Sequence, residues 1–151
     1  MATTPSSTHS IDLVRQFRRH VFNGREYSRM PELFAEDFVQ HGPRAGTESH
    51  GVGEYEKTLR MFHTAFSDLE VTEEVVFSDD TGEFVCTVYT NRGTHDGDFM
   101  GITPTNVEVA VPGIAVQRVE DGKLAETWVV ADFHSLLQQI GVAPLMDEYQ
   151  T

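Results

Sequence analysis

The sequence predicts an α+β fold in which helices cover one face of a curved antiparallel sheet. Up to Phe66, apolar residues recur at spacings of three and four, which is the period of an amphipathic helix. From Leu69 onward they recur at a spacing of two, which is the period of a strand. Helices that precede a run of strands, rather than alternating with them, are typical of the α+β class. Bulges and glycines in such long strands would bend the sheet into a cone-like cavity.

Three helices are expected in the first half of the chain. The first begins near Ser10, a residue type that caps helices, and ends at Asn23 and Gly24. The second is short and begins near Pro31, since proline suits the first helical turn. The third covers about residues 52–66.

The second half predicts a meander of long strands joined by turns. We expect a three-residue hairpin loop at Glu120-Asp121-Gly122, which places Arg118 on the same face as Glu126. A two-residue turn would instead place Gln117 opposite Glu126. A bulge is expected at Pro112 and Gly113. Strands are expected at residues 38–41, 69–77, 83–95, 107–119 and 123–131, followed by a short helix at 133–140.

Composition excludes several functional classes. A chain of 151 residues with 24 Asp and Glu against 11 Lys and Arg carries a net charge of −13, which disfavours binding to nucleic acids or to anionic membranes. Only two of the basic residues are lysines. The acidic surface favours either ordinary solubility through net charge or adaptation to a high-salt cytoplasm. The absence of a long apolar run or a leader-like N-terminus predicts a cytoplasmic protein.

The cysteine and histidine patterns give no metal signature. The single cysteine, Cys86, excludes an internal disulfide and a zinc cluster. His41, Glu48, His50 and His95 do not have the spacing of a recognised metal site. We therefore expect no metal.

Two segments resemble one known family. They are GTHDGDFMGITPT at residues 93–105 and RVEDGKLAETW at residues 118–128, the latter followed by Asp132. Together with FVQH at 38–41 and AFSDL at 65–69, they closely resemble the SnoaL-like polyketide cyclases of the nuclear transport factor 2-like superfamily. The resemblance covers about residues 10–143, with residues 1–9 expected as a disordered tail and 144–151 as a polar tail.

The resemblance implies a cone of helices on a strongly curved sheet, usually as a dimer. It also implies intramolecular aldol condensation on a polyketide ester, without metal or cofactor, with Asp132 as the general acid/base. Asp132 shares strand parity with Trp128 and Val130, so it is expected to end an apolar row facing the cavity, which would raise its pKa. The alternative is that Asp132 caps the helix at 133–140, and a capping hydrogen bond would lower its pKa.

Further site candidates follow from the expected strands. Arg118 could polarise a carbonyl oxygen, and its alternative is an ion pair with Glu126 across the hairpin. His95 and His41 each end a strand near the expected mouth of the cone, and the alternative for each is a structural role. The expected substrate-binding residues are His41, Trp128, Val116, Glu126, Phe62, Tyr89 and Phe99.

The sequence therefore predicts a cofactor-free acid/base enzyme acting on a small apolar carbonyl compound, either polyketide-cyclase-like or isomerase-like. A non-catalytic small-molecule binding module is the alternative. An epoxide hydrolase is a third hypothesis, for which Arg118 and Asp132 supply only part of the required Asp-Arg-Asp set. A long sheet with an open face, together with the resemblance, predicts a homodimer.

Overall fold

The computed structural model describes residues 6–44 and 46–143, and it confirms the α+β fold. The α-helices are α1 (Ser7–Gln16), α2 (Met30–Leu33), α3 (Val52–Ala65) and α4 (Phe133–Gln139). The strands are β1 (Phe34–His41), β2 (Glu48–His50), β3 (Glu70–Ser78), β4 (Phe84–Thr94), β5 (Glu108–Glu120) and β6 (Lys123–Ala131). A π-helical segment (Phe17–Asn23) extends α1, and a 3₁₀ turn (Tyr27–Arg29) precedes α2.

The sheet is mixed rather than wholly antiparallel. Its strand order is β2-β1-β6-β5-β4-β3. Neighbouring strands are antiparallel except β1 and β6, which run parallel. A parallel pair needs a crossover connection, and the chain from α3 through β5 supplies it. This corrects the expectation that every strand pair is antiparallel.

The β5–β6 hairpin keeps the expected pairing through a different turn. Asp121 and Gly122 both have positive φ angles (51° and 75°), and Glu120 pairs with Lys123, so the connection is a two-residue turn of type I′. The predicted three-residue loop is therefore wrong. A register shift directly after the turn nevertheless brings Arg118 opposite Glu126, as expected.

The middle of β5 is regular. Its pairing with β4 runs without a shift along the whole strand, so the bulge expected at Pro112 and Gly113 is absent. Gly113 has another role, because it pairs with Tyr89 and a Cβ there would lie 2.4 Å from the tyrosine Oη. Glycine at this position makes room for the Tyr89 ring on the inner face of the sheet.

The first helix begins earlier than expected. Ser6 caps it by accepting a hydrogen bond from the His9 amide at 3.1 Å. Ser10 lies within the helix, and its buried hydroxyl donates to the carbonyl of Gly82. The expected disordered tail is therefore helical from Ser7 onward, while residues 1–5 and the expected tail at 144–151 lie outside the described residues.

The core consists of two main apolar clusters under the helices. One packs α1 and α2 against the Phe34 end of β1, and Phe17 and Phe34 meet edge to face within it. The other packs the end of α3 against β5 and α4 around Phe66 and Phe99. A cavity lies between the two clusters and is lined by members of both.

The opposite face of the sheet carries two apolar rows that run across the strands. The pairing registers place Phe77, Cys86, Val116 and Trp128 in one row, and Val75, Val88, Ile114 and Val130 in the other. No helix in the described part of the chain covers them, and Val130 and Trp128 are 73% and 39% exposed. We call these two rows the outer apolar face.

Candidate ligand-binding cavity

The cavity is a partly open, largely apolar cone of about 130 Å³. Its walls come from the π-helical segment, α3, α4 and the inner face of the sheet. The apolar lining includes Phe22, Phe62, Phe66, Val109, Val111 and Leu136. An apolar pocket of similar volume binds a single aromatic ring in an engineered lysozyme, so this cavity encloses one ring, and its open side lets a second fused ring extend outward.

Polar side chains form a row across three neighbouring strands of the cavity wall. Gln40 on β1 pairs with Thr127 on β6, and Thr127 pairs with Gln117 on β5. All three are more than nine-tenths buried and line the cavity. The Gln40 Oε1 and Thr127 Oγ1 atoms have no hydrogen-bond partner among the described residues. Since buried polar atoms in folded proteins are usually paired, both are candidates for contact with a ligand.

Arg18 ends this polar row. It comes from the π-helical segment and is 8% exposed. One terminal nitrogen, Nη2, donates to Thr87 and to Gln117 Oε1, the latter at 3.3 Å. The other, Nη1, donates to Glu73 on β3 at 3.2 Å. Burial lowers the pKa of Arg18 below its usual range, and the nearby Glu73 carboxylate opposes that shift.

Two tyrosine hydroxyls complete the polar groups near Arg18. Burial raises the pKa of Tyr89 to about 12 and raises that of Tyr55 well above its usual value. Both therefore stay protonated near neutral pH and can donate a hydrogen bond. Within residues 6–44 and 46–143, neither hydroxyl makes a hydrogen bond to another group.

Two of the residues expected in the cavity line it. Phe62 and Tyr89 form part of its wall. Phe99 is fully buried behind that wall and packs against Phe62, Phe66 and Phe133.

His95 is fully buried but does not line the cavity. Its Nδ1 lies 3.0 Å from the Thr105 hydroxyl, and its ring packs against Phe66 and Phe99. The structure therefore places His95 within the core, in the position expected from its structural alternative.

Five other candidates come together on the outer side of the sheet. His41 lies between two carboxylates, with Nε2 2.6 Å from Glu126 and Nδ1 2.7 Å from Glu48. Its ring stacks on Trp128 at 5.4 Å, while Arg118 lies 3.3 Å from Glu126. The hydrogen bond to Glu126 raises the pKa of His41. These five residues were expected at the cavity, and the structure corrects that placement. They alternate along their strands with the residues that line the cavity, so their side chains lie on the opposite face of the sheet: His41, Val116, Arg118, Glu126 and Trp128.

Asp132 lies at the start of α4 and is exposed. Its Oδ1 accepts a hydrogen bond from the Ser135 amide at 3.0 Å, which is the capping geometry considered as the alternative. Its neighbours Ala131 and Phe133 line the cavity, but the Asp132 side chain does not. The structure therefore corrects the expected inward placement of this carboxylate.

The comparisons with known proteins identify the family. The model of the SnoaL-like polyketide cyclases matches residues 12–140, most of the chain. The chain belongs to this family. No curated protein is similar enough in sequence to count as a relative.

Several solved structures share this fold. A SnoaL-like candidate polyketide cyclase from Jannaschia sp. CCS1 is 20% identical, with a TM-score of 0.84 over 95% of this chain and 99% of that one. IdmH, a candidate polyketide cyclase from Streptomyces antibioticus, is 26% identical, with a TM-score of 0.75 over 88% and 99%. AclR, a candidate hydroxylase from Streptomyces galilaeus, is 24% identical, with a TM-score of 0.81 over 93% and 86%. The different activities in these names show that the fold alone does not select a reaction.

The polar end of the cavity in this SnoaL-like protein was not predicted from the sequence. Arg18, Gln40, Gln117 and Thr127 were all missed as site residues. One signal was available for Arg18, since it follows Val14 by four positions and precedes Val21 by three. That spacing places a cation on the buried face of an amphipathic helix, where an unpaired charge is costly.

Neither a metal-binding cluster nor a bilayer-spanning helix is found in the described part of this family member. In residues 6–44 and 46–143, no three His, Cys, Asp or Glu side chains are grouped as they would be around a metal ion. No helix in the same ranges has the length and hydropathy needed to cross a bilayer.

Proposed function

We propose that this SnoaL-like protein binds an apolar, carbonyl-bearing small molecule in the cone and acts on it as a cofactor-free, polyketide-cyclase-like enzyme. One observation carries the proposal: an apolar cavity ends in a buried cation, tyrosine hydroxyls and unpaired polar atoms. Such a cavity can hold a hydrophobic ring system and orient its oxygen atoms. The family and the likeness to IdmH support a cyclase rather than another activity.

The polar end has the groups that an intramolecular aldol closure needs around its oxygens. In that reaction a base removes a proton from the carbon between two carbonyls, and the electron pair moves onto a carbonyl oxygen as an enolate. The enolate carbon then attacks a second carbonyl carbon, which forms the ring bond and leaves an alkoxide. The protonated base then returns its proton to the alkoxide, so atoms and charge balance and the base is regenerated. Arg18 and the hydroxyls of Tyr55 and Tyr89 would stabilise the negative oxygens in both steps.

Asp132 remains our candidate for the base. It adjoins two lining residues, Ala131 and Phe133, and its carboxylate would have to leave the Ser135 amide to act as the base. The carbon between two carbonyls is acidic enough for a modest base when the enolate oxygen is stabilised. In this division of roles Arg18, rather than Arg118 as expected from the sequence, polarises the carbonyl oxygen.

A non-catalytic binding module is the second candidate. It is favoured by the lining itself, which includes no carboxylate or imidazole among the described residues. The capping bond of Asp132 also favours it, since that bond gives the carboxylate a structural task.

Turnover of a model substrate separates the two candidates. The assay offers a linear aromatic polyketide methyl ester with a 1,3-dicarbonyl unit and follows ring closure by chromatography and mass spectrometry. We expect Asp132→Asn to lower kcat at least ~100-fold with little change in binding, because asparagine can keep the cap but cannot accept the proton. Asp80→Asn, which changes an exposed turn, is the matched control and should leave kcat unchanged.

Each other outcome has a definite meaning. If Asp132→Asn keeps full kcat, the base is another group and the Asp132 assignment is wrong. If the wild-type protein binds the ester without converting it, the binding module is favoured over the enzyme.

We also propose a homodimer that buries the outer apolar face of each copy. Five side chains of these rows, Val75, Phe77, Ile114, Trp128 and Val130, are 39–73% exposed, and contiguous apolar patches of this kind mark interaction surfaces. A two-fold axis would place each row against its counterpart. Sedimentation should show a dimer at micromolar concentration, and Val130→Lys should shift it to monomer. A wild-type monomer under those conditions would contradict the proposal.

A further inference from the structure

We infer that the ligand of this cavity carries an ionised oxygen, as a carboxylate or as an acidic phenol or enol, and places it against Arg18. The inference rests on the proposed function, because it takes the cone as the ligand site. It goes beyond that function by assigning a charge to the group at the polar end.

The first argument is the charge balance around Arg18. Its only carboxylate partner in the described chain is Glu73, which it shares with Arg15. Arg15 holds Glu73 more closely, at 2.8 Å against 3.2 Å for Arg18, and through two of its nitrogens. Two guanidinium groups on one carboxylate leave a net positive charge. Because Arg15 is half exposed and Arg18 is buried, an anion entering the cavity would meet that charge at Arg18.

The second argument is the lining. Arg18 is the one charged side chain that lines the cavity among the residues described. The protein as a whole carries a net charge of −13, so the positive charge at the end of the cavity is opposite in sign to the charge of the whole protein. A buried cation is costly unless it is paired, and pairing with a ligand anion would offset part of that cost.

The third argument is hydrogen-bonding capacity. A guanidinium has five N–H groups, and Arg18 uses three of them on Thr87, Gln117 and Glu73. One N–H on Nε and one on Nη1 therefore have no partner within residues 6–44 and 46–143. Hydrogen bonds from a guanidinium to an anionic oxygen are about twice as strong as bonds between neutral groups.

The neighbouring polar atoms complement such a ligand. Gln40 Oε1 can only accept a hydrogen bond, while Thr127 Oγ1 can donate or accept. A hydroxyl adjacent to the ionised oxygen would satisfy both. The ligand class is therefore an apolar ring compound with an acidic oxygen and a nearby hydroxyl.

Two probes of matched shape test the charge. 2-Naphthoate and 2-naphthamide differ in the charge of one polar group, and their binding to the full-length protein is measured by calorimetry at pH 7.5 in 0.2 M KCl. We expect naphthoate to bind the wild-type protein at least ten-fold more tightly than naphthamide. Arg18→Met should bring the two affinities together while naphthamide still binds, and Arg92→Met, which removes an exposed cation from β4, should behave as wild type.

The outcomes are distinguishable. Equal affinities in the wild-type protein, or a preference for naphthoate that survives in Arg18→Met, would overturn the inference and leave the proposed function standing. Failure of both probes to bind the wild-type protein would contradict the cavity as a ligand site and the inference with it. If Arg18→Met does not fold, the wild-type comparison still decides, and Arg18→Lys should keep the preference because it keeps the charge.

Discussion

Protonation of His63 should make the protein less stable in mild acid. His63 on α3 is 8% exposed, its Nδ1 accepts a hydrogen bond from the Tyr27 hydroxyl, and its Nε2 donates to the Phe22 carbonyl at 2.9 Å. This arrangement uses both ring nitrogens of the neutral form. Burial, with a smaller contribution from the Arg25 charge, lowers the pKa of His63 to about 4.

The sign and size of the effect follow from linkage. The unfolded chain takes up a proton near pH 6.5, whereas the folded protein resists protonation of His63 down to about pH 4. Stability from this group is therefore present above pH 6.5 and is lost as pH falls through the window toward pH 4. The full loss is about 3 kcal/mol, since each pH unit between the unfolded and folded pKa values corresponds to about 1.36 kcal/mol. About 1 kcal/mol of it should appear between pH 7 and pH 5.5.

Urea unfolding of the wild-type protein and His63→Gln measures this effect. The difference between the two free energies of unfolding cancels the other titrating groups, including His41, whose raised pKa acts in the opposite direction. The stability advantage of the wild-type protein should shrink by about 1 kcal/mol from pH 7 to pH 5.5. The measurement stops there because the sequence pI is about 4.8 and solubility falls near it.

A gap between the two proteins that stays constant over this range would refute the reasoning. The matched control is Thr64→Gln at the exposed position next to His63 on α3, for which the gap to wild type should not depend on pH because neither side chain titrates.

Three further predictions follow from the fold and the composition. Asp132→Ala should cost about 1 kcal/mol in urea unfolding through loss of the bond to the Ser135 amide, while Asp132→Asn should cost little; equal losses would argue against the cap. Gly113→Ala should lower stability by about 1–3 kcal/mol, because its Cβ would lie 2.4 Å from Tyr89 Oη, and a neutral result in the same assay would contradict the close packing. The acidic composition predicts a melting temperature that rises between 0.1 M and 2 M KCl, and an unchanged value by calorimetry would contradict halophilic adaptation.

Local patterns in the sequence predicted most of the fold, but they did not predict the pairing of strands that are distant in the sequence. The helices at α1 and α3 and the strands of the meander follow from periods of 3.6 and 2 and from turn residues. The parallel pairing of β1 with β6 joins segments more than 80 residues apart, and no turn or spacing encodes it. In the β5–β6 hairpin the type I′ turn and the register shift compensate for each other. Arg118 therefore pairs with Glu126 as expected, although the turn has two residues instead of three.

The candidate site was harder to predict because both faces of the sheet are apolar. Alternation identifies a buried face only when the other face is polar. On β6, Val129 faces the cavity, while Trp128 and Val130 lie on the outer apolar face. Because both sets are apolar, their alternation along the strand does not show which set faces the cavity. The larger aromatic residue favoured the wrong one. The positions that identify the inner face are the polar ones, Gln117 and Thr127, because they are buried in the cavity wall.

The contact between Gly113 and Tyr89 has a consequence for evolution within the family. The two positions face each other on neighbouring strands and share one volume at the cavity wall. A relative that gained a side chain at the position of Gly113 would have to lose bulk at the position of Tyr89, or its cavity would become shallower. Paired substitutions at these two sites should therefore track ligand size across the family, with a small residue on one strand wherever the other strand carries a large one.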